Sequence, residues 1–404
     1  MKHNSKNMLY RGVDVDKALK IPRYGEVHSN FYKSLFTRIR IKRFNSSKII
    51  IIYFYCESER MDFDAAINAL LNHLKVLNPV KVDAWREFVI FEKFTFLKHL
   101  FAKSNKSTKG KETLIKRLVD RLMVARVKTN VDYVYETMSS KDYDVIVTFS
   151  DAHEYDNTLS QCVQNMQKTT VTLQHGQYLV SNNPVPENEL LSNIVSDYFC
   201  AWGRATCDEF YKVNNSAKIK ILGPLGKDEN KTTIKLQYLP LEIGVTKVAC
   251  LMLNADNSFK KNVDMILLVN NWCLKSKWSY CVKYHPKNNK SLYEKHFGKD
   301  FLGSMEENSE LEISFSIVYT SGVVVELLIL RKAFLIYCDE DTPDIYQNKL
   351  ICFNAVDQLE SRVIELTMSK SLCQNMERMR DYFVETKDIK NNYLNFFKEI
   401  NSEI

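Results

Sequence analysis

Short, almost wholly apolar runs alternate along this chain with longer stretches in which apolar residues return every three or four positions. The first run, residues 48–55 (KIIIIYFY), has the length and β-branched content of a buried strand. Residues 63–77 then set Ala66, Ile67, Leu70, Leu71 and Leu74 on one helical face. Strand-like runs follow at residues 144–149 (DVIVTF), 169–173 (TTVTL), 196–202 (SDYFCAW) and 219–222, with helical spacing between them at residues 158–166 and 205–211. Residues 88–101 and 114–127 are helical in spacing, and the polar, basic residues 104–111 (SNKSTKGK) between them read as an exposed loop. The alternation lapses over residues 226–244, which gather Lys, Asp, Asn and Thr. It resumes with a strand at 247–253 (KVACLML), a helix at 263–274 and a strand at 278–284 (WSYCVKY). Residues 314–339 make a strand–turn–helix–strand unit, and amphipathic helices at 356–367 and 371–400 are expected to close the molecule and cross back to its first domain.

Unbroken apolar strands flanked by helices belong to parallel sheets covered on both faces, so the pattern predicts an α/β protein of two Rossmann-like domains. Its expected parts are a basic segment at 1–47, an N-terminal domain at 48–225, a linker at 226–245, a C-terminal domain at 246–355 and closing helices at 356–404. A length of 404 residues suits two domains, and 45% hydrophobic with 26% charged residues is a globular balance. The net charge of +7 is diffuse; it suits an anionic ligand or an acidic membrane surface and does not by itself point to nucleic acid. Residues 38–43 (RIRIKR) either rest on an anionic membrane or form a solvated lead-in to the first strand. The ten cysteines include no Cys-x-x-Cys pair, which favours reduced thiols over a disulfide frame or zinc site. No signal peptide opens the chain and the apolar run at 49–55 is too short to span a bilayer, so a cytoplasmic location is expected.

In a parallel sheet the loops leaving the strands' carboxyl ends face the ligand crevice, and the helices that follow aim free N–H groups there. Strand 144–149 delivers Ser150, Asp151, His153 and Glu154 to such a loop, and strand 169–173 delivers Gln174, His175, Gly176 and Gln177. A carboxylate beside an imidazole suits general acid–base chemistry. Asp151 serves equally as a helix cap and His175 as a hydrogen-bonded turn residue, and both alternatives stand open. Strand 278–284 ends at His285, Pro286 and Lys287, where proline fixes the step, the imidazole can donate to a phosphate oxygen, and the lysine raises the local potential. Thr320, Ser321 and Gly322 at a helix start suit an anion such as phosphate, and Glu326, about a turn on, suits a sugar hydroxyl. Ser321 as a plain N-cap and Glu326 as an exposed helix residue remain the blander alternatives.

These motifs carry a resemblance. TVTLQHGQY (170–178), YFCAWG (198–203) ahead of ILGPL (221–225), VKYHPK (282–287) and YTSGVVVELLILRKAFLIY (319–337) resemble, in that order, GT-B glycosyltransferases of bacterial surface polysaccharide assembly. The chain looks similar to the capsule-synthesis group and to the bacterial sialyl- and Kdo-transferases. The resemblance implies two Rossmann-like domains facing each other across a cleft. It implies His285, Pro286, Lys287, Thr320, Ser321 and Gly322 around the donor phosphate and Glu326 on ribose or sugar hydroxyls. Asp151 is implied as the base that deprotonates the acceptor, with Glu154 next and His175 at the cleft. The implied activity is inverting transfer from a nucleotide-activated sugar, CMP-sugar ahead of UDP-sugar, to a polysaccharide or lipooligosaccharide. No cofactor beyond the nucleotide-sugar co-substrate is implied, and no metal, since no Asp-x-Asp triplet is read after a strand and protein cations and helix dipoles take the metal's place in such families. The implied partners are that donor and a glycan or glycolipid acceptor, without nucleic acid; peripheral attachment to the cytoplasmic face of the inner membrane stays open. The acidic-acidic-glycine signature of the sialyltransferase families is missing, and the QHG triplet is closer to the capsule group. CDP-polyol phosphotransferases of teichoic-acid type, sugar-nucleotide 2-epimerases and non-catalytic subunits of a polysaccharide assembly complex are the open alternatives.

Overall fold

The computed structural model describes residues 8–20, 37–54, 61–88, 93–101, 114–149, 151–177, 186–227, 237–238, 247–285, 288–298, 312–319, 321–346, 351–368 and 370–402. They form two compact units. The first gathers the described residues of Met1–Tyr178, Pro184–Gly226 and Lys387–Ile404, and the second those of Lys227–Thr386.

A seven-stranded sheet centres the first unit. Its strands are β1 (Thr37–Ile41), β2 (Ile49–Phe54), β3 (Val80–Phe88), β4 (Val145–Thr148), β5 (Thr169–Leu173), β6 (Tyr198–Ala201) and β7 (Lys218–Ile221), in the order β1-β3-β2-β4-β5-β6-β7. Every pair is parallel except that of edge strand β1 with β3. The run of isoleucines in β2 is explained by burial on both faces, because successive side chains of a strand point to opposite sides. Ile50 and Ile52 enter one core with Val82, Ile146 and the residues Val127, Val131 and Val134 of helix α2 (Leu114–Met138). Ile49, Ile51 and Tyr53 enter the other, with Val145, Val147 and the residues Ile67 and Leu70 of helix α1 (Met61–His73).

The second unit carries a five-stranded, all-parallel sheet of β8 (Val248–Met252), β9 (Ser279–Lys283), β10 (Phe315–Val318), β11 (Phe334–Tyr337) and β12 (Cys352–Phe353), ordered β9-β8-β10-β11-β12. The apolar runs at 247–253, 278–284 and 314–339 appear as these strands, and the helical spacing at 263–274 belongs to a longer helix, Phe259–Lys275.

Four expectations change. Residues 80–88, which precede and touch the expected helix at 88–101, form β3; the helix is confined to Lys93–Phe101. Their charged positions alternate with Val80, Val82 and Ala84, a strand period that the flanking aromatic residues obscure. The basic run at 38–43 begins in a strand and is not a lead-in: Arg38 and Arg40 of β1 both pair with Glu87 of β3, and both lie over the Tyr133 ring at 5.7 Å. Helix 371–400 is two helices, Lys370–Phe383 and Ile389–Ser402, separated by Asp388 in the left-handed region at φ 49°. Within the expected linker, Gln237–Tyr238 pairs in parallel with Glu312–Ile313, while residues 228–236 and 239–246 lie outside the described residues, as does the loop at 104–111. Among the described residues no helix is long and apolar enough to cross a membrane.

Candidate functional site

Both units use one strand order, which fixes where ligands meet them. The six parallel strands of the first unit run second–first–third–fourth–fifth–sixth, and the five of the second run second–first–third–fourth–fifth. The order reverses beside the first strand, and in an open α/β sheet the crevice lies outside the carboxyl ends at that point. In the second unit it falls between β8 and β10, where Met252 stands opposite Val318.

The loops at this edge carry three of the seven expected donor residues, His285, Ser321 and Gly322. His285 follows β9 and is half-buried, its carbonyl accepting from the Asn288 amide at 2.9 Å. Both side-chain amide atoms of Asn288 are buried and lack a hydrogen-bond partner among the described residues. Beside it the loop after β8 is braced from below. The buried Asn262 donates to the Asn254 carbonyl and to the Tyr293 hydroxyl, both at 2.8 Å, and accepts from the Asn254 amide at 3.0 Å. Asp256 accepts the Asn289 amide at 2.7 Å and so joins this loop to the one bearing His285. Ser321 and Gly322 follow β10. Gly322, and not Ser321, is the N-cap of helix α3 (Val323–Ile329); the Ser321 hydroxyl accepts from the Val323 amide at 3.4 Å from the position before it. Glu326 is not an exposed helix residue. It is buried and accepts from Lys227 at 2.7 Å. Pro286, Lys287 and Thr320 lie outside the described residues.

The expectation that no Asp-x-Asp triplet follows a strand is corrected just past β11. Asp339, Glu340 and Asp341 have an Asp-x-Asp spacing, and Lys261, in the first turn of Phe259–Lys275, bridges the two aspartates. Tyr319 donates to Asp339 at 3.0 Å, and the Asp339 amide donates to the Thr342 hydroxyl at 2.8 Å. Burial pulls the Asp339 carboxyl upward, but the Lys261 and Tyr319 hydrogen bonds outweigh it and hold it below the usual carboxylate range. Burial opposes the charge on Lys261, and the two aspartates overcome that and raise it. The spacing was the available signal; the lysine, 78 residues upstream of Asp339, could not be paired with it from sequence.

In the first unit the carboxyl edge of β4 and β5 brings His153 and His175 together, ring centroids 6.2 Å apart. Phe63 stands edge-on to His175 at 5.4 Å and Phe149 lies at 6.0 Å. Gln174 shapes this loop: its side chain donates to the Gly176 carbonyl at 2.8 Å and accepts from the Trp202 amide at 2.7 Å. Burial and Arg86 hold His153 below the usual imidazole range. The Gln177 side-chain amide is buried without a partner among the described residues.

The two carboxylates expected to act on an acceptor are built into the scaffold. Asp151 is wholly buried, and its Oδ2 accepts the amides of Val195 and Ser196 at 3.0 and 2.6 Å. It does not cap the next helix, Glu154–Asn165, whose N-cap is His153. Glu154 forms a two-point buried ion pair with Arg126 of α2. His175, half-buried, is the member of the expected trio that reaches the surface. Sequence reading also missed Asp156, buried in the same helix, where burial first and Asp151 second push its carboxyl well above the usual range. Among the described residues no group of three or more His, Cys, Asp or Glu side chains is placed to hold a metal ion.

No protein-family model matches the chain, and no curated protein matches it. Solved structures do. The S. aureus MnaA–UDP co-structure superposes with a TM-score of 0.54 at 11% identity, covering 89% of this chain and 98% of that one. UDP-GlcNAc 2-epimerase from Methanocaldococcus jannaschii superposes at 0.50 with 12% identity, covering 87% and 99%. A glycosyltransferase from Rickettsia africae reaches 0.45 at 14% identity over 89% and 99%. At these identities the likeness establishes the fold, which is GT-B: α/β, with two Rossmann-like domains.

Proposed function

We propose that this protein is a glycosyltransferase that takes a sugar from a nucleotide donor held by its second unit. The observation that carries this reading is the switch point between β8 and β10, where loops bearing His285, Asn254, Ser321 and an Asn288 amide without a partner among the described residues reach one sheet edge. His285 donates to the leaving phosphate, Ser321 supplies a hydroxyl beside it, and Glu326, held by Lys227, accepts from a donor hydroxyl. The first unit supplies the acceptor edge. There His175 takes the acceptor proton as the acceptor oxygen bonds to the anomeric carbon and the nucleotide phosphate departs, the inverting course. Asp151, the base that the sequence resemblance favours, keeps its place in the scaffold. The acceptor is a surface polysaccharide or glycolipid, and the nucleotide-sugar is the sole co-substrate. The structural likenesses are a UDP complex and a UDP-GlcNAc enzyme, which puts UDP-sugars ahead of the CMP-sugars favoured by the sequence motifs.

The likeness to a 2-epimerase supports a second reading, in which the nucleotide sugar is itself the substrate. A thermal-shift panel of UDP, CMP, CDP, GDP and their sugar conjugates tests the donor site. A ligand at a hundredfold its Kd adds about 2.7 kcal/mol to stability, so a bound nucleotide raises the Tm plainly. His285→Ala should lose that shift while keeping the unliganded Tm; a variant that shifts like wild type would remove His285 from the site. Incubating the preferred nucleotide sugar without acceptor then separates the readings, because an epimerase interconverts it and a transferase leaves it intact.

A further inference from the structure

Two thiols at the carboxyl edge of the second sheet are placed to react with each other. Strands β11 and β12 run parallel with Ile336 opposite Cys352 and Tyr337 opposite Phe353, and the Cys338 amide donates to the Phe353 carbonyl at 2.8 Å. These bonds hold both backbones, and the two Sγ atoms lie 2.6 Å apart. The Cys352 thiol also donates to the Tyr346 carbonyl at 2.8 Å, in the short 3-10 turn Asp344–Tyr346. Both cysteines are half-buried, so a small reagent can reach them. A second neighbouring pair in the same sheet supplies the contrast: Cys250 of β8 stands opposite Cys281 of β9, but both are buried, at 0% and 3% exposure.

We propose that Cys338 and Cys352 are a redox-active dithiol that closes to an intramolecular disulfide by exchange with a low-molecular-weight disulfide such as oxidised glutathione. One protein thiolate attacks a sulfur of the reagent, forming a mixed disulfide and expelling one glutathione thiolate. The second protein thiolate attacks the protein sulfur of that mixed disulfide and expels the other. The two protons lost by the cysteines pass to the two departing thiolates, and two electrons pass from the protein to the reagent. The register offsets the pair by two residues, since Ile336 and not Cys338 stands opposite Cys352, so the side chains bring the two Sγ atoms together and closure draws the two strand ends closer. The hydrogen bond with Cys352, and burial after it, push the Cys338 thiol up, so thiolate is scarce at neutral pH and closure quickens as pH rises. Closure removes the S–H that Cys352 gives to Tyr346. Cys338 also directly precedes Asp339, the carboxylate that gathers Lys261, Tyr319 and Thr342.

The full chain, folded, is incubated with oxidised glutathione at several pH values, quenched with acid, alkylated and mapped by mass spectrometry. The expected product is a peptide pair joined through Cys338 and Cys352, formed faster at higher pH, with Cys250 and Cys281 alkylated only after denaturation. Cys352→Ser should instead retain one glutathione on Cys338. Stable glutathione adducts on the wild-type pair without the internal bond would overturn the proposal, as would two thiols that stay unmodified. The wild-type map decides the question even where the variant folds poorly.

Discussion

Asp151 and its neighbour Asp156 show how burial gives a carboxyl structural partners and a pH signature. Asp151 spends one oxygen on two backbone amides, which ties the loop after β4 to the turn before β6; Asp151→Ala strands both donors and should cost about 1–3 kcal/mol in urea unfolding. Asp156 has a buried Oδ1 with no partner among the described residues. Burial and Asp151 raise its carboxyl in the folded state, so the folded protein holds this proton to higher pH than the unfolded chain does. No penalty exists in acid, where both states are protonated. The penalty grows as pH rises from the unfolded-chain value toward the folded one, and is then constant. Asp156→Asn should therefore raise stability at pH 8 by on the order of 1 kcal/mol per pKa unit of displacement, and flatten the decline of Tm with pH. A variant whose Tm–pH curve overlays that of wild type would show that Asp156 is not perturbed. None of this was legible in sequence, because DAHEYD reads as a polar loop until Val195 and Ser196, about forty residues on, are brought against it. His285 and Ser321 were legible, because position after a strand is a local property.

Elements with a single strong period were found, and those whose polar residues serve other elements were misread. The helix Glu154–Asn165 was expected to begin at 158, because its first turn holds Glu154 and Asp156 and its middle Asn157, Ser160 and Gln161, all of them buried. These residues bond outward: Asn157 to the carbonyls of Asp151 and Asn193, Gln161 to the backbone of Asp14, and Glu154 to Arg126. The Arg126–Glu154 pair locks this helix to α2 with each side chain 5% exposed. Losing one partner leaves an uncompensated buried charge, so Arg126→Met should destabilise the first unit by about 3–5 kcal/mol. Adding Glu154→Gln should recover most of that loss, since a matched neutral pair is often close to neutral in stability. A double variant as unstable as the single one would mean that α2 packing, and not the charge, carries the effect. The same logic applies to β3, whose Glu87 answers Arg38 and Arg40 of β1.

At the scale of the molecule, the amphipathic period of residues 371–400 and its return to the first domain were legible, but which of its residues make that return was not. Residues 387–404 belong to the first unit, although residues 227–386 stand between them and the rest of it. Tyr393, Phe396, Phe397 and Ile400 of the last helix are at most 3% exposed and complete the core that holds Ile51, Val147 and Tyr198. The Tyr393 hydroxyl donates to the Gly223 carbonyl at 3.1 Å, and Lys220 pairs with Glu399 at 2.9 Å. Each large apolar side chain buried this way contributes about 1.5–3 kcal/mol, so four of them rival the whole stability of an ordinary domain. The chain leaves this unit at Gly226, whose φ of 68° and closeness to Ala65, where an added Cβ would meet backbone at 2.7 Å, suit glycine alone. Residues 1–226 expressed alone should therefore fail to unfold cooperatively in calorimetry. Joining residues 387–404 to them through a flexible Gly/Ser linker should restore one sharp transition, and Phe397→Ala in that fusion should lower it by about 3–5 kcal/mol. A fragment 1–226 that melts as sharply as the fusion would show that the last helix only covers a core already complete.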